Sequence, residues 1–180
     1  MALAAGEVEE SRTRRLWLAA SGDEAAFAEI VGAHNADMTR VCFVICGDLD
    51  LAEEAVQDAW PRAWRKLSTL RDPARLRPWL ISVAANEARQ LLRRRARRSI
   101  VELDVNAASM TAPDVNRVSD LDLVNALARL SPDDRTLLAW RYVAGYDATE
   151  IARATGRSPS GTRTRLHRLL LRLRLELGDA

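Results

Sequence analysis

Cysteine is nearly missing: Cys42 and Cys46 are the only two in 180 residues, four apart in a helical pattern. Two sulfurs without matched partners make no zinc site, and so few give no disulfide scaffold of the kind found in secreted domains. Burial in a core is the ordinary fate of such cysteines. Lysine is missing but for Lys66, so the other basic residues are all arginine. That bias fits the codon usage of a GC-rich genome, and arginine also suits phosphate and guanine recognition. Glycine (8), proline (6) and aromatics (5%) are sparse. With alanine, leucine and arginine dominant, the composition points to helix throughout. No apolar run approaches a membrane span and no signal peptide precedes residue 20, so a cytoplasmic protein without membrane insertion is expected. His34 and His167 have no matched nucleophile or metal partners, and no phosphate-binding glycine loop occurs. An enzyme, a cofactor and a metal are therefore not expected.

What is present is unevenly distributed. The apolar fraction, 48%, is enough for a buried core, and the length suits one medium domain or two small ones. The net charge of +2 hides a segregation. Residues 1–60 hold 4 basic and 12 acidic side chains, residues 61–100 hold 12 basic and 2 acidic, and residues 101–180 hold 11 of each. Within that last part, 157–174 carry six arginines and no acid. An acidic block followed by two basic ones suggests different partners for different surfaces.

The pattern along the chain predicts two helical modules. Residues 1–22 read as an N-terminal extension, acidic, aperiodic and disordered over 1–11, with a short helix around Leu16–Ala20. Gly22-Asp23 breaks and caps the next segment. Phe27, Ile30, Val31, His34, Met38, Val41, Cys42 and Ile45 then recur at threes and fours, one amphipathic helix ended by Gly47. Asp50 is the expected cap of a second helix with the stripe Val56, Ala59, Trp60, Ala63 and Leu67. A third starts near Arg75, carries Leu76, Trp79, Leu80, Val83, Ala84, Leu91 and Leu92, and ends in an arginine run at 93–98. Residues 99–118, richer in Ser, Asn, Thr, Pro and Asp, read as a flexible linker. A second module over 119–180 follows: a stripe of Leu121, Val124, Leu127 and Leu130; a helix opened by Ser131-Pro132; a short helix with Asp147 and Glu150 spaced as a capping box; and a last helix opened by Ser158-Pro159. The fold class expected is all-α, two small helical domains joined by a linker, the second containing a helix-turn-helix.

Three surfaces carry the functional reading. Between 147 and 174, a short helix, a turn at Gly156 and an arginine-bearing helix make a helix-turn-helix pattern. The second helix of such a motif lies in the major groove with its N-terminal side chains at base edges. Here those are Ser158, Ser160, Thr162, Arg163 and Arg165, preceded by Arg157, with Arg168 and Arg172 further along at phosphate distance. Arginine can donate two hydrogen bonds to guanine, and hydroxyls serve bases or phosphates. The arginine run at 89–98 would hold phosphate without sequence preference. Together with Trp79, Asn86 and Arg89 it supplies the aromatics, amides and cations that single-stranded DNA requires. Asp50, Glu53, Glu54, Gln57 and Asp58 cannot favour DNA and read instead as a docking surface for a basic protein helix. Each surface has an ordinary alternative, a solvated face or, for Trp79, core packing.

In this order the surfaces resemble the extracytoplasmic-function subfamily of bacterial sigma factors. The match begins at Asp23, Ala26 and Phe27 and is strongest in DLAEEAVQDAWPRAWRKL (50–67), RPWLISVAANEARQLLRRR (77–95) and LARLSPDDRTLLAWRYVAGYDATEIARATGRSPSGTRTRLHRLLLRLR (127–174). The resemblance implies that residues 23–98 are sigma region two. Asp50, Glu53, Glu54, Gln57 and Asp58 would then dock on the β′ clamp helices of core RNA polymerase. The loop 68–75, with Arg71 and Arg75, and the third helix would read the promoter −10 element, the loop holding a base turned out of the duplex. Trp79 would stand where the strands part, with Asn86, Arg89, Arg93 and Arg94 along the DNA. Residues 119–180 would be region four, reading the −35 element and meeting the β flap, and the linker would thread toward the polymerase active-site channel. An anti-sigma protein is implied as a further partner. The chain departs from the family pattern at Pro61, where a helix kink or early break is expected, at Gln90, and at Arg163, which replaces the usual valine and would either shift promoter preference or lie outward. Leu80 stands where housekeeping members have a second tryptophan, as expected for this subfamily. A helix-turn-helix regulator acting on duplex DNA without polymerase is the alternative, but it needs neither an acidic docking helix nor the Trp79 segment.

Overall fold

A computed structural model of the chain describes residues 2–101 and 118–178, with side chains placed over 10–98 and 122–178. Among the described residues every regular element is helical. The order is α1 (Ala2–Ala20), α2 (Glu24–Cys46), α3 (Leu49–Lys66), two 3-10 turns (Leu67–Thr69 and Pro73–Arg75), α4 (Leu76–Val101), α5 (Val118–Ala128), α6 (Pro132–Leu138), a π-helical turn (Ala139–Val143), α7 (Ala148–Thr155) and α8 (Pro159–Leu177). Most of the expected linker, 102–117, lies outside the described residues.

Asp23 accepts the Ala26 N–H at 2.9 Å and starts α2. Gly47, at φ 73°, ends it in the left-handed conformation that glycine adopts without penalty. A side chain there would also crowd the Arg135 guanidinium, 3.2 Å from where its Cβ would stand. α2 is the centre of the first module, with α1, α3 and α4 around it. Met38, Val41 and Ile45 face Ala55, Ala59 and Ala63 of α3 and Leu80, Ala84 and Ala88 of α4, all buried. The alanines let α3 and α4 lie close to each other and to α2. Phe27 packs edge-on against Trp60 and Trp64, with ring centres 5.7 and 4.6 Å away. In the second module Leu130, Leu137, Trp140, Tyr146, Ile151, Leu166, Leu169 and Leu173 form the core.

Three expectations are corrected. The segment expected to be disordered, 1–11, is helical from Ala2. Its alanines are strong helix formers, and the helix is anchored further along by the buried Leu16 and Ala19. The cap of α3 is Asp48, which accepts the Leu51 N–H at 2.9 Å, while Asp50 stands in the first turn. The left-handed turn at Gly47 delivers an extended residue at position 48, not 50. Finally, α3 runs through Pro61 without a break. Pro61 and Gln57 are both exposed, so the Gln57 carbonyl that loses its i+4 donor lies on the solvent side of the helix, where it is not desolvated.

The two modules touch. Arg77 at the start of α4 pairs with Asp37 of α2 (Nε to Oδ2, 2.8 Å) and donates from Nη1 to the Ala144 carbonyl at 2.9 Å. Arg135 of α6 is buried and stands at the C-terminal end of α2, where a cation meets unpaired carbonyls. Even so, Gln57 is exposed on α3, Trp79 is half-buried on α4, and Thr162 is buried within the second module, so the three do not share one site.

Candidate nucleic-acid interface

The acidic surface forms along one edge of α3. Asp50, Glu53, Glu54, Gln57 and Asp58 are all exposed, while Leu51, Ala52, Ala55, Val56 and Ala59 turn inward. The face is not wholly free. Glu54 meets Arg95 at 3.3 Å and Asp58 meets Arg94 at 3.2 Å, both pairs between exposed side chains. One turn on, Arg62 reaches the buried Glu87 of α4 at 2.7 Å. Burial pushes the Glu87 carboxyl upward, while the Arg62 charge opposes it. Three ion pairs thus run along the seam of α3 and α4.

α4 divides its side chains. Trp79, Asn86, Arg89 and Arg93 lie on one stripe, and Trp79 packs partly onto the core. Arg89 donates to Asn86 Oδ1 at 3.0 Å. Arg94 and Arg95 leave this stripe and turn toward α3. The loop 68–75 joins the two 3-10 turns through an irregular stretch at 70–72, with Arg71 and Arg75 exposed and Asp72 capping the second turn through the Ala74 N–H at 3.0 Å. The same Asp72 pairs with Arg75 at 3.3 Å.

The helix-turn-helix is built as its caps dictate. Asp147 and Glu150 form the capping box of α7, Gly156 at φ 66° ends it, and Ser158 caps α8 by accepting the Gly161 N–H at 3.1 Å. Amide donors from Glu150 and Thr149 hold the Asp147 carboxyl below its usual range. Thr162, Leu166, Leu169 and Leu173 are the buried side of α8. The opposite side carries Ser160, Thr164 and His167, flanked by Arg163 and Arg168, all exposed. Thr162 therefore cannot read DNA, because it is fully buried, while Arg163 lies outward. Arg165 sits between the two sides, its Nε held by Asp134 of α6 at 2.7 Å. Thr164 and His167 were missed by the sequence reading, although the inward stripe of leucines defines the side they occupy.

Arginines assigned to the two promoter elements meet at one cleft of about 230 Å³, lined by Arg89, Arg93, Asp133, Thr136, Arg157 and Arg165. Asp133 lies 3.8 Å from Arg89 and 3.9 Å from Arg93. Elsewhere, Cys42 and Cys46 are buried free thiols, and burial raises both above the usual thiol range. No group of three or more His, Cys, Asp or Glu among the described residues could hold a metal ion.

The Sigma-70 region 2 family matches residues 30–98 and the Sigma-70 region 4 family matches 120–173. The ECF RNA polymerase sigma factor SigL of Mycobacterium tuberculosis is 30% identical over 166 residues, 89% of this chain and 94% of that protein. The chain belongs to the ECF RNA polymerase sigma factors. The probable RNA polymerase sigma factor RfaY of Xanthomonas campestris pv. campestris is 29% identical over 168 residues, 88% of this chain but 42% of that protein. In fold, this sigma factor is similar to RpoE of Bartonella quintana, solved with the anti-sigma factor NepR, at a TM-score of 0.68 and 22% identity, covering 84% of this chain and 96% of that one. It is thus an alternative sigma factor of transcription initiation. No helix among its described residues is long and apolar enough to cross a membrane.

Proposed function

We propose that this sigma factor docks on the β′ clamp helices of core RNA polymerase through Asp50, Glu53, Glu54, Gln57 and Asp58. The first module, 23–98, then reads and opens the −10 element with Arg71, Arg75, Trp79, Asn86, Arg89, Arg93 and Arg94. The second, 119–180, reads the −35 element with Arg157, Ser158, Ser160, Arg163 and Arg168, joined by Thr164 and His167, and meets the β flap. Arg165, tied to α6, is kept at the margin of that set. The protein works by binding energy and catalyses no reaction. It acts in the cytoplasm, and an anti-sigma protein is its regulator.

The observation that carries this reading is the separation of charge by element: exposed carboxylates on α3, and exposed arginines on α4 and at the start of α8. A duplex-binding regulator has no use for the first. Purified core polymerase plus this chain should give specific run-off transcripts, while the chain alone should bind promoter duplex weakly. Absence of any affinity for core would end the proposal.

A further inference from the structure

Four arginines of α4, each suited to hold phosphate, face a carboxylate of their own chain. Arg94 meets Asp58 at 3.2 Å and Arg95 meets Glu54 at 3.3 Å. Arg89 and Arg93 share Asp133 at 3.8 and 3.9 Å. The carboxylates come from two sides, α3 and the first turn of α6. We infer that Glu54, Asp58 and Asp133 mask α4 from nucleic acid in the free chain, and that docking of a basic helix on α3 lifts the part due to Glu54 and Asp58.

The physical basis is competition. A carboxylate within 4 Å of a guanidinium takes up the charge a phosphate would otherwise neutralise, so fewer counterions are released when DNA binds. A basic partner helix on α3 competes for Glu54 and Asp58 and returns Arg94 and Arg95 to the solvent. Because the two equilibria share the same carboxylates, they are reciprocal: whatever docking does for DNA affinity, DNA does for docking. The three carboxylates are about half exposed and the arginines are all in contact with solvent, Arg89 least at 26%, so each pair is weak and easily exchanged. That suits a mask that must come off. The half of the inference that concerns docking rests on the α3 reading above; the masking half does not.

The test measures binding of the full chain to a short fluorescent poly-dT strand as a function of salt. Glu54→Gln with Asp58→Asn should tighten binding of the free chain about two- to fivefold per pair at low salt and steepen its salt dependence. Asp133→Asn should do the same through Arg89 and Arg93. The control is Asp50→Asn with Glu53→Gln, the same change in net charge on the same helix but away from the α4 arginines. It should change binding much less. Adding Arg94→Gln and Arg95→Gln to the Glu54/Asp58 variant should remove its gain. Equal tightening by the control would reduce the effect to net charge, and no tightening by any variant would overturn the mask outright. In a second arm, core polymerase is bound with and without saturating poly-dT. Tighter binding of core in the presence of the strand is expected, and a loss of that coupling in the Glu54/Asp58 variant. Coupling unchanged in the variant overturns the docking half. No affinity of wild type for core is instead the failure of the α3 reading, visible apart from the first arm.

Discussion

Single residues in this sigma factor are set by what surrounds them, and two give direct tests. His34 is half-buried beside Asp37, Arg77, Arg12 and Arg15, and burial, with the arginines, lowers its pKa against the pull of Asp37. The unfolded chain therefore takes up this proton first as pH falls, and stability contributed by neutral His34 is present above its ordinary value, 6.5, and lost below it. Thermal unfolding at pH 7.5 and 5.5 should show a drop that His34→Gln reduces; an equal drop in the variant would remove His34 as its source. Glu87 is buried with Arg62 as its ion-pair partner, so Arg62→Ala should cost about 1–3 kcal/mol by stranding a desolvated acceptor. In Arg62→Ala with Glu87→Leu most of that loss should return; a double variant as unstable as the single would deny the pairing. At this scale the sequence was only partly legible. The outward arc of α8 follows from its leucines, yet a one-residue error in phase moves a side chain by about 100°. Two such steps separate the buried Thr162 from the exposed Thr164. No sequence signal placed Asp134 against Arg165 or Glu87 against Arg62, because these pairs join elements 31 and 25 positions apart.

At the scale of the element, the capping residues decided most boundaries. Asp23, Ser131, Asp147 and Ser158 each cap the helix expected of them, because an oxygen three residues before a free N–H is a local condition that the sequence states in full. Two local readings failed for reasons outside the motif. Asp48 and Asp50 are both chemically able to cap α3, and only the backbone delivered by Gly47 chooses between them. Pro61 stays inside its helix because the seams of α3 with α2 and α4 fix the helix on both sides of it, through Ala59 and Ala63. Asp48→Ala should cost about 1 kcal/mol in urea unfolding, and Asp50→Ala much less. The reverse order would return the cap to Asp50.

For the whole molecule, the compact arrangement has a consequence. Arg89 and Arg93 share a cleft with Arg157 and Arg165, whereas two promoter elements need their arginines apart. The modules meet through polar contacts at their edge, Arg77 with Ala144 and Asp133 with Arg89 and Arg93, and through the packing of α2 on α6 and the π-helical turn, where their buried apolar side chains join in one cluster. Arg135, at the end of α2, is buried beside this packing. Parting the modules on the way to promoter-bound polymerase therefore exposes apolar surface as well as breaking ion pairs, and salt weakens only the ion pairs. The existence of two modules was legible from charge and periodicity, but their mutual contact was not, since no pattern in either half encodes the other's surface.

The most direct test is an equilibrium titration of purified core polymerase with the labelled full-length chain. Asp50→Lys with Glu53→Lys should weaken binding to core about tenfold or more, while Arg163→Ala with Arg168→Ala should leave it unchanged. Wild-type affinity in the first variant, with loss confined to the second, would place the polymerase contact on the arginine face and contradict the account.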